Sequence, residues 1–422
     1  MLIHNISQLL TIPGPPQRGR RLGDLGLIPQ GAVLLREGRI AAVGPEAELL
    51  AAYPHEERFD AGGRVALPGF VDPHTHMLWA GDRAFEFEMR IQGKSYMEIH
   101  QAGGGILNTV QAVRAASVEQ LMAATRPRLR RAFTHGSTTI EVKTGYGLTT
   151  ADELKMLEAI LRLDAEGPWE LIPTFLGAHA IPPEFQGDPA GYTDLVCEEM
   201  LPAVKAWWEE HAPRRLLPFV DVFCETGVFD LEQTRRILET ARALGFPLKV
   251  HADEFDNLGG AAMAAQLGAT SADHLVTTSA EDIRTLAASD TVAVALPCTP
   301  FGLGDPHYTP AQAILEADGL LALATDCNPG PAWCETMSFA VALACRTLRL
   351  IPAQAIVAAT LNAAAAVGAA HRLGSLAPGF QADLLLLDVP DYRHLGYRIT
   401  GNLVAWVFKR GRPYRVEQIL SL

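Results

Sequence analysis

His74 and His76 close the stretch Leu67-Pro-Gly-Phe-Val-Asp-Pro-His-Thr-His76, an apolar run that ends in two imidazoles one residue apart. Side chains alternate across an extended backbone, so both rings leave the same face and can bind one cation together. Pro68 and Gly69 open the strand, and Asp72 and Pro73 bend it. Further polar groups stand just past later apolar runs: Tyr146, His179, His251 with Glu254, His274, and Asp326 with Asn328. Of these, His74, His76, His251 and Asp326 make a candidate metal set of three imidazoles and one carboxylate that leaves room for water. Such nitrogen and oxygen ligation suits zinc, and iron as the alternative. A cation so held lowers the pKa of its water to about 7 and polarises a carbonyl, which is the chemistry of a hydrolase. Taken singly, Asp326 also reads as a helix cap before Pro329-Gly330, and His251 as a core histidine.

Glu254, three residues beyond His251, can shuttle a proton between an attacking water and a leaving nitrogen. His274 can orient the water or stabilise a developing oxyanion. Glu254, His274 and Asp326 are therefore the catalytic candidates, and either of the first two can take the first proton. Arg83 follows the histidine pair in the first loop, and a guanidinium grips a carboxylate with two parallel hydrogen bonds. Tyr96 and Tyr146 offer hydroxyls to the same substrate, and Gly145 and Gly147 let the backbone approach. His179 is the remaining polar candidate at a strand end.

These groups need a scaffold that gathers residues far apart in the chain. Eight short apolar or β-branched runs alternate with helical patterns: Gly69–Val71, Thr138–Val142, Leu171–Phe175, Phe219–Phe223, Leu248–Val250, Thr270–Asp273, Val292–Leu296 and Leu320–Thr325. Eight parallel strands close an α/β barrel whose active site forms at the C-terminal strand ends, where the polar groups fall. Helices are expected over Glu119–Phe133 despite Pro127, and over Ala151–Ala165, Leu231–Leu244, Gly259–Leu267 and Ala353–Val367, each with apolar residues at three- and four-residue steps. Glu37-Gly38-Arg39 and Arg410-Gly411-Arg412 mark hairpins near the two ends of the chain. Residues 1–66 with 376–422 are thus expected to form a small β-sandwich domain, and residues 67–375 the barrel.

The 422 residues are 48% hydrophobic and 20% charged, with a formal net charge of -13, so disorder and a polyanionic partner are both disfavoured. A lone basic residue in such a chain still serves a small anionic substrate. Six scattered cysteines without a Cys-x-x-Cys pair read as reduced thiols. No apolar run approaches the ~20 residues that span a bilayer, and a cytoplasmic protein is expected.

Assembled, the blocks Gly69-Phe-Val-Asp-Pro-His-Thr-His76 with Gly81-Asp-Arg83, Lys143-Thr-Gly-Tyr-Gly147, Phe175-Leu-Gly-Ala-His179, Val250-His-Ala-Asp-Glu254, Ser271-Ala-Asp-His274 and Ala324-Thr-Asp-Cys-Asn-Pro-Gly330 resemble the amidohydrolase superfamily. More narrowly, they resemble the imidazolonepropionase family of histidine degradation. The resemblance implies a distorted barrel with a small β-sandwich from both termini, commonly a homodimer. It implies hydrolysis of the ring amide of 4-imidazolone-5-propanoate to N-formimino-L-glutamate. His74, His76, His251 and Asp326 would bind metal. Arg83, Tyr146, His179 and Glu254 would contact the substrate, with Arg83 on the propionate. Asn328, Gly330 and the next residue would hold the glutamate-like end. That next residue is Pro331, where the family usually has a hydroxyl, so this hydrogen bond is left open. Many superfamily members bind two metals bridged by a carboxylated lysine at the end of the fourth strand. Here Asp221-Val-Phe-Cys-Glu225 has no lysine, so one metal is expected, with Lys143 structural or on the substrate side. Two rivals stand beside this reading: a guanine or other heterocycle deaminase, which has no need of Arg83, and a non-catalytic barrel scaffold.

Overall fold

The computed structural model describes residues 1–94, 98 and 104–419. Tyr96, a substrate candidate, lies outside the described residues. The chain opens with β1 (Leu2–Leu10), β2 (Leu27–Arg36), β3 (Arg39–Pro45) and β4 (Arg58–Pro68). Eight strands follow: β5 (Phe70–Asp72), β6 (Ser137–Lys143), β7 (Glu170–Ala178), β8 (Phe219–Cys224), β9 (Lys249–Ala252), β10 (Ser271–His274), β11 (Val292–Ala295) and β12 (Leu321–Leu323). The chain ends with β13 (Leu384–Leu387), β14 (Val404–Lys409) and β15 (Arg412–Arg415).

Strands β5 to β12 pair in sequence order, every neighbour parallel. All eight coincide with the apolar runs read from the sequence. Every residue of β6, β9, β10 and β11 is buried, as expected of parallel strands covered on both faces. The last and first strands meet at the rim rather than along their lengths. Thr75 and Cys327 form a parallel bridge, Asp326 N–H donates to His74 O at 3.1 Å, and His76 N–H donates to Cys327 O at 2.9 Å. Below them, Thr325 donates through its backbone N–H and its hydroxyl to Asp72, at 3.1 and 2.5 Å. This closure is what carries Asp326 to the histidine pair.

The remaining strands form one continuous seven-stranded sheet in the order β15-β14-β13-β4-β1-β2-β3, so both termini do join in a separate sheet. Both anticipated hairpins are present. Glu37 and Gly38 take φ of 51° and 73°, and Arg410 and Gly411 take 50° and 78°, the paired positive values that tight hairpin turns require. Glu170 on β7 ties this sheet to the barrel: Lys409 Nζ and Arg410 Nη2 each lie 3.3 Å from its carboxylate, and Arg372 pairs with its other oxygen.

The expected helices form over Val118–Thr134, Thr150–Glu166, Leu231–Ala243 and Gly260–Leu267. Ser117 with Gln120, and Asp230 with Gln233, build reciprocal capping boxes that satisfy the first free N–H groups. The expected single helix Ala353–Val367 is instead two, Pro352–Ala358 and Leu361–Ala366. Ala359 O accepts the N–H of Val71 on β5, and the Thr360 hydroxyl donates back to Ile356 O, so the backbone between them leaves the helical path. Among the described residues no helix is long and apolar enough to cross a membrane.

Candidate active site at the barrel rim

Among the described residues, each candidate side chain leaves the C-terminal end of a barrel strand or the loop after it, and they converge. His76 Nε2 lies 3.2 Å from His251 Nε2. Asp326 Oδ1 lies 3.6 Å from His74 Nε2 and 3.5 Å from His76 Nε2. The His74 and His251 rings are 4.4 Å apart, and His274 stands 5.1 Å from His251. Ligand atoms of His74, His76 and Asp326 lie within 4.8 Å of one another, as do those of His74, His251 and His274. His274 is therefore a fifth group at the cluster.

Each ring's outer nitrogen decides what its inner one can do. His74 Nδ1 sits 2.6 Å from Asp273 Oδ2, and His251 Nδ1 lies 2.9 Å from Asp221 Oδ2. With its Nδ1–H bonded to Asp273, His74 has Nε2 as an acceptor turned toward the cluster, and the nearby carboxylate of Asp221 favours the same tautomer in His251. His74 Nε2 and Asp326 Oδ1 are buried without a hydrogen-bond partner among the described residues. Two acceptors this close, together with an imidazole pair at 3.2 Å, are satisfied by a shared cation, and the donor set fits one. Burial, then the neighbouring charges, hold His74, His76 and His274 neutral, their pKa values well below the ordinary imidazole range. Burial likewise pushes Asp326 up to about 6, its hydroxyl partner Thr299 opposing the rise.

The backbone is bent for this purpose. Asp253, His274, Leu275 and Asp326 all have positive φ, at 54°, 79°, 62° and 53°. Non-glycine residues occupy this region at a cost of about 1–3 kcal/mol each, and they concentrate where a side chain must be aimed.

A cavity of about 500 Å³ opens over the cluster, lined by His76, His251, His274 and Asp326 and by the candidates Arg83, Tyr146, His179, Glu254, Asn328 and Pro331. His74 and Gly330 do not line it. His179 stacks on His76 with ring centroids 4.8 Å apart, and its Nδ1–H donates to Gly145 O at 2.9 Å. The other nitrogen of His179 is thereby left as an acceptor, and burial lowers its pKa to about 3. Gly145 has φ of 100°, and a side chain there would meet His179 Nδ1 at 2.9 Å, so the close approach requires glycine. Burial raises the Tyr146 phenol, keeping it a donor. Glu254 lies 3.6 Å from His274 Nδ1, and burial, with Asp326 and Glu225 nearby, raises its pKa well above the carboxylate range. Asn328 is occupied within its own loop: Nδ2 donates to Asp326 O at 2.7 Å, and Oδ1 accepts Gly330 N–H at 2.8 Å.

Sequence reasoning missed the carboxylates behind the site. Asp221 and Asp273 orient His251 and His74, while Glu86, 1% exposed, holds Arg83 through Nε and Nη2 at 2.8 and 2.7 Å. A signal was present: charges inside otherwise apolar barrel strands, as in Phe-Val-Asp221-Val-Phe and Ile-Glu141-Val-Lys143, must be paired indoors. Lys143, expected to be structural or on the substrate side, is structural. It is fully buried and bonded to Glu141 and Asp221.

A family model described as the amidohydrolase family matches residues 65–414, and one described as an imidazolonepropionase-like composite domain of bacteria matches residues 31–55. Imidazolonepropionase of Herpetosiphon aurantiacus is 54% identical, covering 99% of this chain and 98% of its own. That of Chloroflexus aggregans is 50% identical over 98% and 97%. Among solved structures, a triazine hydrolase variant aligns with a TM-score of 0.75 at 16% identity, covering 100% of this chain and 97% of its own. The guanine deaminase of E. coli aligns with a TM-score of 0.71 at 14% identity over 98% of each chain. At such identity these structures speak for the fold alone, whereas the full-length relatives speak for the family. With its histidine cluster, its carboxylate supports and its near-complete match to those relatives, the chain belongs to the amidohydrolase family and, within it, to the imidazolonepropionases.

Proposed function

We propose that the chain hydrolyses the ring amide of 4-imidazolone-5-propanoate to N-formimino-L-glutamate in histidine degradation. The observation that carries this reading is identity of about one half, over nearly the whole chain, to relatives named for that activity. The cavity agrees: it joins an imidazole cluster to a guanidinium, the pairing that a ring bearing an anionic tail needs.

His74, His76, His251 and Asp326 would hold a single divalent or trivalent ion, zinc or alternatively iron, which when bound would supply an activated water and polarise the ring carbonyl. Glu254, its pKa raised by burial, would carry a proton from the attacking water to the departing ring nitrogen. His274 stands beside it to steady the charge that develops on the carbonyl oxygen. Arg83 takes the propionate. Tyr146 donates, and the free nitrogen of His179 accepts, at the ring or the emerging formimino group. Asn328 and Gly330 act by fixing the loop over the glutamate-like end, and Pro331 lends that wall no donor. Residues 1–66 with 376–422 are taken as the accessory domain and 67–375 as the catalytic one. A cytoplasmic homodimer fits a small-molecule hydrolase of this kind.

Purified protein incubated with imidazolonepropanoate should abolish the ultraviolet absorption of the ring. Parallel incubation with guanine tests the deaminase rival, and ammonia released from guanine alone would overturn the proposal. Activity abolished by His251→Ala, in a variant that melts normally, separates the enzyme from an inert scaffold.

A further inference from the structure

Beneath the histidine cluster lies a second layer built on charged groups, each of them buried. Lys143 Nζ, at the end of β6, is 2.7 Å from Glu141 Oε1, 2.8 Å from Asp221 Oδ2 and 3.9 Å from Asp273 Oδ2. Each of these carboxylates then supports a different part of the site. Asp221 faces His251 Nδ1 at 2.9 Å and accepts the His251 backbone N–H at 3.1 Å. Asp273 faces His74 Nδ1 at 2.6 Å. Glu141 accepts the backbone N–H of Thr75, the residue between His74 and His76, at 3.1 Å. The Lys143 backbone N–H donates to Thr75 O at 3.0 Å, so this lysine grips the histidine pair from both ends.

We propose that Lys143 is a positioning residue for the metal centre, a single ammonium that fixes the three carboxylates aiming His74, His251 and the backbone of the histidine pair. This rests on the metal reading above. Three carboxylates in so small a dry volume repel one another, and an ammonium at their centre removes that repulsion while fixing their separation. Lys249 helps from one side only: its Nζ lies 3.6 Å from Asp273 and spends its other bonds on Ser271 Oγ and two backbone carbonyls. It touches neither Glu141 nor Asp221 among the described contacts, so the joint hold belongs to Lys143. A neutral side chain there would leave the ligand rings present but free to turn. Loss of groups that orient metal-bound histidines lowers metal affinity by about ten- to hundred-fold.

The test titrates zinc alone into chelator-stripped full-length protein against a competing chromophoric chelator, and records the visible spectrum of the cobalt-loaded form. Lys143→Met should bind zinc about ten- to hundred-fold more weakly than wild type and show an altered cobalt spectrum. Lys409→Met, which removes another buried lysine with two carboxylate partners, should lower the melting temperature but leave zinc affinity and the cobalt spectrum unchanged. Should Lys143→Met fail to fold, Lys143→Met with Glu141→Gln removes one charge of each sign and is expected to show the same weakened binding. A folded variant of either kind that binds zinc within about two-fold of wild type overturns the inference, as does equal weakening by Lys409→Met. Failure of the wild type to bind zinc or cobalt overturns the metal reading itself.

Discussion

Glu86→Gln tests whether Arg83 is aimed at the substrate or merely present near it. Oε1 of Glu86 accepts Arg83 Nε at 2.8 Å and the Gly105 N–H at 2.8 Å, while Oε2 accepts Arg83 Nη2 at 2.7 Å. The pair uses one edge of the guanidinium and leaves Nη1, with the second N–H of Nη2, for a ligand carboxylate. Glutamine offers one acceptor oxygen and one NH₂, so it can keep one guanidinium bond but must set a donor against a donor at the other. Losing a hydrogen bond to a charged group costs about 1.5–3 kcal/mol, which is roughly ten- to hundred-fold in kcat/KM. On the proposed placement of Arg83 against the propionate, which does not react, the loss should appear in KM, with kcat nearly preserved. Initial rates from ring absorbance across substrate concentrations measure the split, and the side-chain carboxamide of the substrate serves as control. For that uncharged analogue wild type and Glu86→Gln should perform alike. A KM within about two-fold of wild type, or an equal loss on the carboxamide, would refute the reasoning.

Removal of metal by a chelator should abolish turnover and lower the melting temperature, since a ligand bound only by the folded state at a thousand times its Kd adds about 4 kcal/mol; calorimetry of stripped and zinc-reloaded protein checks it. Gly302→Ala would put a Cβ 1.8 Å from Pro331 O, forcing the Asn328 loop outward. Overpacking of this kind costs about 1–3 kcal/mol, and substrate KM should rise in a folded variant, as measured by urea melts and kinetics. Burial opposes ionisation of Glu170, but Lys409 and Arg372 hold its folded pKa below the usual range. Its contribution is therefore complete above the unfolded value of about 4.3 and fades as pH falls below that toward the folded value. Glu170→Gln should cost about 3–5 kcal/mol near neutrality and progressively less below about pH 4 in paired denaturation curves; a gap that does not shrink with acid speaks against the ion pair.

The sequence by itself determined the strand and helix rhythm and the chemistry of the rim. Alternation of apolar runs with helical patterns depends only on local periodicity, which is why all eight barrel strands and both hairpins were legible. The same rhythm put His74, His76, His251, His274 and Asp326 past strand ends, where this architecture gathers its polar groups. Local periodicity failed at Ala359 and Thr360, because a contact with β5 broke a pattern that reads as one continuous helix. Only the tertiary structure decided which groups meet. The hydrogen bonds that close the barrel between His74 and Cys327 join residues some 250 positions apart, and no spacing rule announces them. Nor could spacing reveal that Asp273 serves His74 rather than its neighbour His274, or that Glu86 claims one edge of Arg83. Composition and pattern state which side chains must be indoors. The partner each one finds there is fixed by how the strands close on one another, because a buried charge takes whatever opposite charge the packed backbone brings within reach.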